Sequence, residues 1–76
     1  MSDTDTIHLD VRGLQPPEPL ERVLDALDWL APGKRLLMLI DREPLPLYRI
    51  LDRNGYRYRA TMHDTGTVTV EITLAN

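Results

Sequence analysis

The chain contains no cysteine in its 76 residues, and that one absence removes a large body of chemistry. Disulfides, thiolate metal sites and any sulfur nucleophile are excluded, and cysteine usage says nothing about redox compartment. Long apolar runs are also missing, since nothing approaches the roughly 20 residues that a membrane-spanning helix needs. The opening Met1-Ser2-Asp3-Thr4-Asp5-Thr6 is polar and acidic, without the basic and apolar regions of a signal peptide, so a soluble cytoplasmic protein with no membrane partner is expected. A basic excess is lacking too. With a formal net charge of −3 and a pI near 5.2, the chain does not read as a nucleic-acid partner, which normally needs a positive surface. There is no glycine-rich phosphate loop, and no serine stands near a histidine and an acid in a nucleophile motif. No catalytic residue, metal site or cofactor is assigned on these grounds.

What is present fits one domain near the lower size limit for a single core. Residues 1–5 offer no apolar group that could offset the entropy of ordering them and read as a disordered tail before a domain at 6–76. Ile7, Leu9 and Val11 alternate with His8, Asp10 and Arg12, the period of a strand with one buried face. Gly13 then permits a sharp exit, and Leu14-Gln15 leads into Pro16-Pro17-Glu18-Pro19, where prolines suit a first helical turn and Glu18 faces the positive end of the helix dipole. Leu20, Val23, Leu24, Leu27, Leu30 and Ala31 form the stripe of an amphipathic helix. Trp29 falls on its polar side, either lying over a loop or along the helix flank, or serving as a docking anchor.

After Pro32-Gly33, the run Leu36-Leu37-Met38-Leu39-Ile40 predicts an interior strand covered at least partly on both faces. Asp41-Arg42-Glu43-Pro44-Leu45-Pro46 repeats the charged loop and proline-rich helix start, Leu47, Ile50 and Leu51 make a short stripe, and Asn54-Gly55 stops the helix. Tyr56, Tyr58, Ala60 and Met62 alternate with Arg57, Arg59, Thr61 and His63, and a turn at Asp64-Thr65-Gly66 leads to the alternating Val68–Leu74 segment. The order is βαβαββ, an α/β (α+β) two-layer sandwich: a four-stranded mixed sheet with two helices on one face. The open face should carry His8, Asp10, Arg57, Arg59, Thr61, His63, Thr69 and Glu71, with part of Leu37 or Leu39. His8 and His63 match no metal-ligand spacing and read as solvated, and Arg57 and Arg59 stand outside a tyrosine row that faces the core.

The run Leu9-Asp10-x-Arg12-Gly13-Leu14-x-x-Pro17-Glu18-Pro19 resembles the signature of the TusA-like (SirA-like) family of small sulfur carriers, in which a Gly-Leu turn precedes a Cys-Pro-x-Pro helix start. The resemblance extends through Pro32-Gly33 and the element order. It implies a sheet in the order 1-2-4-3. In the carriers the cysteine bears a persulfide passed between proteins, and alignment puts that cysteine at Pro16. With Asp10 to Pro19 and Asp41 to Pro44 as its two loops, the chain is more similar to the cysteine-less branch of the superfamily, catalogued as a domain of unknown function.

Both loops leave carboxyl ends of neighbouring parallel strands, the usual ligand edge of open α/β sheets. The candidate binding residues there are Asp10, Arg12, Gly13, Pro16, Pro17, Glu18, Asp41, Arg42 and Glu43. The plain reading is an Arg–carboxylate network, Arg12 with Glu43 or Arg42 with Asp10, that fixes the loops. The sharper reading is a non-enzymatic module that binds another protein, linked by the resemblance to sulfur or redox metabolism. A third, from a different class, is a small anion or metabolite binder, or an acid–base enzyme, at residues 10–19 and 41–46. Self-association through the open sheet face, giving a dimer, is a separate reading, and the sequence does not settle the oligomeric state.

Overall fold

The chain is described by a computed structural model that places residues 5–74. Of the tail expected at 1–5, residues 1–4 lie outside the described residues and Asp5 is exposed. The elements run β1 (Thr6–Asp10), α1 (Glu18–Leu27), β2 (Arg35–Ile40), α2 (Leu45–Arg53), β3 (Tyr56–Met62) and β4 (Val68–Leu74). The sheet order is β1-β2-β4-β3, with β1 and β2 parallel and the other two pairings antiparallel. This is the mixed sheet that the pattern and the resemblance together predict.

Alternation sets the two faces. Leu36, Met38 and Ile40 of β2 and Val68, Val70 and Ile72 of β4 are buried under the helices with Val23, Leu27, Leu47 and Leu51. Leu37 and Leu39 point the other way and are half-buried, opposite Glu71 and Thr69 of β4 and His8 and Asp10 of β1. The open face is therefore polar around a two-leucine centre, and Arg35 crosses it to Glu71 (2.9 Å). His8 is exposed on edge strand β1 and His63 just past the end of the opposite edge strand β3, where His63 Nε2 sits 2.7 Å from Thr69 Oγ1. Among the described residues no helix is long and apolar enough to cross a membrane.

Three sequence expectations are corrected. The α1 stripe was expected to run to Ala31, but the helix stops at Leu27, and Asp28, Trp29 and Leu30 instead donate to carbonyls three residues back. That tighter turn still seats Leu30 in the core at 8% exposure. Leu24, assigned to the buried stripe, is 36% exposed, because it lies about 100° round the helix from Val23 while Leu27 lies only about 40° away. Met62, assigned to the core side of β3, is 63% exposed at the end of an edge strand and takes no part in the core. Trp29 is 80% exposed, so neither a loop nor the helix flank takes up its ring.

Candidate functional site between the two proline loops

Parallel β1 and β2 deliver their outgoing loops side by side, and both loops enter helices through prolines. Pro17 and Pro44 stand at the N-cap positions, and neither helix has a side-chain cap. Prolines at these positions shape the backbone but supply no N–H groups. Several of the remaining amides are in use: Glu18 donates to the Gln15 carbonyl, and Leu45, Leu47 and Tyr48 donate to Glu43 or Pro44 carbonyls.

Between the helix starts lies a cleft of about 440 Å³. Its floor is the end of the core, Val11, Met38, Ile40 and Leu47, and its walls are Leu14, Leu20 and prolines from both loops. Polar groups come only from the second loop, through Asp41, Arg42 and Glu43. A concave, mostly apolar hollow with a few polar groups at one side is the usual form of a ligand or anchor site, and its volume falls within the usual range.

Of the nine residues the sequence singles out, Pro16, Pro17, Asp41, Arg42 and Glu43 line this cleft, whereas Asp10, Arg12, Gly13 and Glu18 do not. Glu18 pairs along the helix with Arg22 at 3.1 Å. The expected cross-loop network of Arg12 with Glu43 or Arg42 with Asp10 is not what forms. Arg12 closes instead on Asp10, two residues away, with Nε to Oδ1 at 2.9 Å and Nη2 to Oδ2 at 2.8 Å. The Arg12 amide also donates to Asp10 Oδ1 at 3.1 Å. A two-residue contact needs almost no loop closure, so it forms ahead of a partner across the gap. The link between the loops is Asp41, whose Oδ2 accepts the Gly13 amide at 2.7 Å. Gly13 sits at φ +79, where a side chain would be strained.

Glu43 Oε2 accepts the Tyr48 hydroxyl at 3.2 Å. Tyr48 stacks on Tyr58, with ring centroids 4.6 Å apart and planes 5° from parallel, and the Tyr58 hydroxyl donates to Asp52 at 3.3 Å. Burial, together with the Glu43 carboxylate, pushes the Tyr48 hydroxyl up to about 12. Arg42 makes no hydrogen bond or ion pair among the described residues and is exposed. The apolar residues of the cleft, Leu14, Met38 and Leu47 above all, were read from sequence as core or turn positions. The repeated proline-rich helix starts were the only local sign that they share a wall.

The Arg12 guanidinium, aided by the Arg12 amide, holds the Asp10 carboxyl down at about 2. An unfolded aspartate titrates near 3.9, about two units higher. The contribution of Asp10 to stability is therefore complete above about pH 4 and disappears as pH falls towards 2. NMR titration of the Asp10 carboxyl should show its inflection near 2, and Arg12→Ala should return it to the ordinary aspartate range; an unchanged inflection in the variant would refute this cause.

The fold and the site can be set beside known proteins. A solved structure described as a SirA-like protein, from Desulfitobacterium hafniense, matches with a TM-score of 0.79 at 25% sequence identity, covering 92% of this chain and 99% of that one. Comparison with the curated proteins finds no match. The family model described as "Uncharacterized conserved protein (DUF2249)" matches residues 8–74, nearly the whole chain. With its four-stranded mixed sheet and two helices in a SirA-like arrangement, the chain belongs to the DUF2249 family of uncharacterized conserved proteins.

Proposed function

We propose that the chain is a non-enzymatic protein-binding module of the cysteine-less TusA-like branch, and that a partner inserts an apolar side chain into the cleft between the proline loops. The observation that carries this reading is the cleft itself: about 440 Å³, walled mostly by carbon and opening beside Arg42, whose side chain has no partner among the described residues. A buried anchor of this kind is where binding energy concentrates in protein interfaces. Proline-stiffened walls lose little entropy when they are covered. Support for a sulfur or redox context comes from the likeness to the SirA-like protein and from the alignment that puts the carrier cysteine at Pro16, a residue of the cleft wall.

Leu14→Glu places a carboxylate in the cleft wall, and Arg42→Ala removes the cation beside it. Affinity capture with the wild-type chain, followed by titration of each purified candidate, should identify a partner whose binding both variants weaken while circular dichroism remains unchanged. Equal binding by the folded variants would exclude the cleft. Partners drawn wholly from outside sulfur and redox metabolism would remove that link while leaving the binding role. The cleft volume also favours a second reading, a small metabolite with an apolar body and a carboxylate for Arg42. Chemical-shift titration with apolar carboxylates, phosphates and sulfur oxyanions separates the two, since shifts at Leu14 and Leu47 from a free metabolite would support the second.

A further inference from the structure

We infer that the outer flank of α2, continuous with the cleft, is a docking track for an acidic segment of another protein; this rests on the protein-binding reading and specifies the partner's chemistry. The flank is an open groove of about 470 Å³ lined by Leu45, Pro46, Arg49, Ile50 and Arg53, and it shares Pro46 with the cleft. Leu45, Arg49 and Arg53 are spaced four residues apart, so they form one ridge along the helix.

The charge on this side is arranged in an unusual way. The segment 41–53 holds three arginines and three carboxylates and is formally balanced. The carboxylates, however, are all held by neutral donors of the chain: Asp41 by the Gly13 amide, Glu43 by the Tyr48 hydroxyl and Asp52 by the Tyr58 hydroxyl. None of the three arginine side chains has a hydrogen bond or an ion pair among the described residues. The acids are thus drawn towards the first loop and the tyrosine stack, while Arg42, Arg49 and Arg53 present a row of unused donors to solvent. Leu45, 60% exposed, interrupts that row with an apolar contact. A chain of net charge −3 should repel acidic partners at long range, so a track of this kind selects those that bring carboxylates to these positions at short range.

The test uses the full isotope-labelled chain and a synthetic peptide of about twelve residues, glutamates around one central leucine, with a glutamine-for-glutamate peptide as control. The glutamate peptide should shift the amides of Arg42, Leu45, Arg49 and Arg53, and its binding should weaken as salt rises from about 50 to about 300 mM. Arg49→Glu with Arg53→Glu should weaken it by about tenfold or more; both residues are exposed, and an unchanged melting curve would show that the fold is kept. Equal binding of the glutamine peptide, or glutamate-peptide shifts confined to other surfaces, would overturn the track. Binding that survives the double reversal with shifts at Leu14 and Leu47 would overturn the track while leaving the cleft reading intact. Conversely, loss of track binding alongside an unchanged response to Leu14→Glu would retain the track and reject the cleft. Two other occupants are also distinguished. A single-stranded oligonucleotide that displaces the peptide at lower concentration would overturn the proposal in favour of nucleic acid. Self-association abolished by the double reversal would overturn it in favour of a second copy, presenting the Glu21, Asp25 and Asp28 side of α1.

Discussion

Leu51→Ala should lower the melting temperature by about 15 °C, the largest effect expected from a single side chain here. Helix α2 has nine residues and attaches to the sheet chiefly through two buried ones, Leu47 at 1% and Leu51 at 0% exposure, with Tyr48 stacked on Tyr58 of β3 beside them. Truncating a fully buried leucine removes its transfer free energy and leaves a void that a close-packed core does not refill, at a cost of about 3 kcal/mol. Domains of this size have a total stability near the low end of about 5–15 kcal/mol. Such a loss therefore takes a large share of it, at about 4–8 °C per kcal/mol. Because α2 carries one wall of the cleft and the arginine ridge, any partner binding should fall in proportion to the folded fraction and recover on cooling. Thermal unfolding followed by circular dichroism checks this, and a shift of only a few degrees would mean that the Tyr48–Tyr58 stack, not the buried leucines, carries most of the attachment of α2.

The second large effect is expected at Asp41. Its carboxylate accepts the Gly13 amide at 2.7 Å, bridging 28 residues of sequence and tying the first loop to the second. Asp41→Ala should cost about 1–2 kcal/mol, the usual range for an amide bond to a charged acceptor when both groups touch solvent. It should also release the Gly13 amide to faster hydrogen exchange. Asp41→Asn keeps an acceptor oxygen and should cost less. If Gly13 exchange is the same in Asp41→Ala as in the wild type, the loops are not clamped by this bond. The functional consequence separates this residue from Arg42. Loss of Asp41 should change the shape of the cleft and so weaken every occupant, whereas loss of Arg42 should weaken only those that bring an acceptor.

Much of the architecture is legible along the chain, because its signals are local. Period-two alternation in Ile7–Val11, Tyr56–Ala60 and Val68–Leu74 gives the strands and their faces, and Gly13 and Asn54-Gly55 mark turns that need positive φ. The unbroken Leu36–Ile40 run marks an interior strand because both of its edges pair with neighbouring strands; one face lies under the helices, and Leu37 and Leu39 on the open face are half-buried. The margins were less legible. Leu24 and Met62 have the spacing of core residues, but exposure at the edge of a helix stripe or the end of a strand depends on how far the opposing layer extends.

The candidate site divides along the same line. Two charged, proline-entered loops at one sheet edge follow from the order of residues, because parallel strands joined by crossovers must bring their carboxyl ends together. Which groups those loops would spend on each other does not follow. Asp10 and Arg12 satisfy one another at a separation of two residues, Asp41 turns to a glycine amide, and Glu43 and Asp52 are drawn to a pair of stacked tyrosines. Only three-dimensional packing makes those choices, because each sets a partner near in sequence against one across the gap, such as Asp41 and Gly13, 28 residues apart. The same packing makes the space between the prolines a mostly apolar cleft: its floor is the end of the core, and the prolines of its walls bring no amide N–H groups. The composition of the edge was written in the chain, while its character, a mostly carbon-walled hollow beside an Arg42 with no partner among the described residues, came from the competition among neighbours in the folded state.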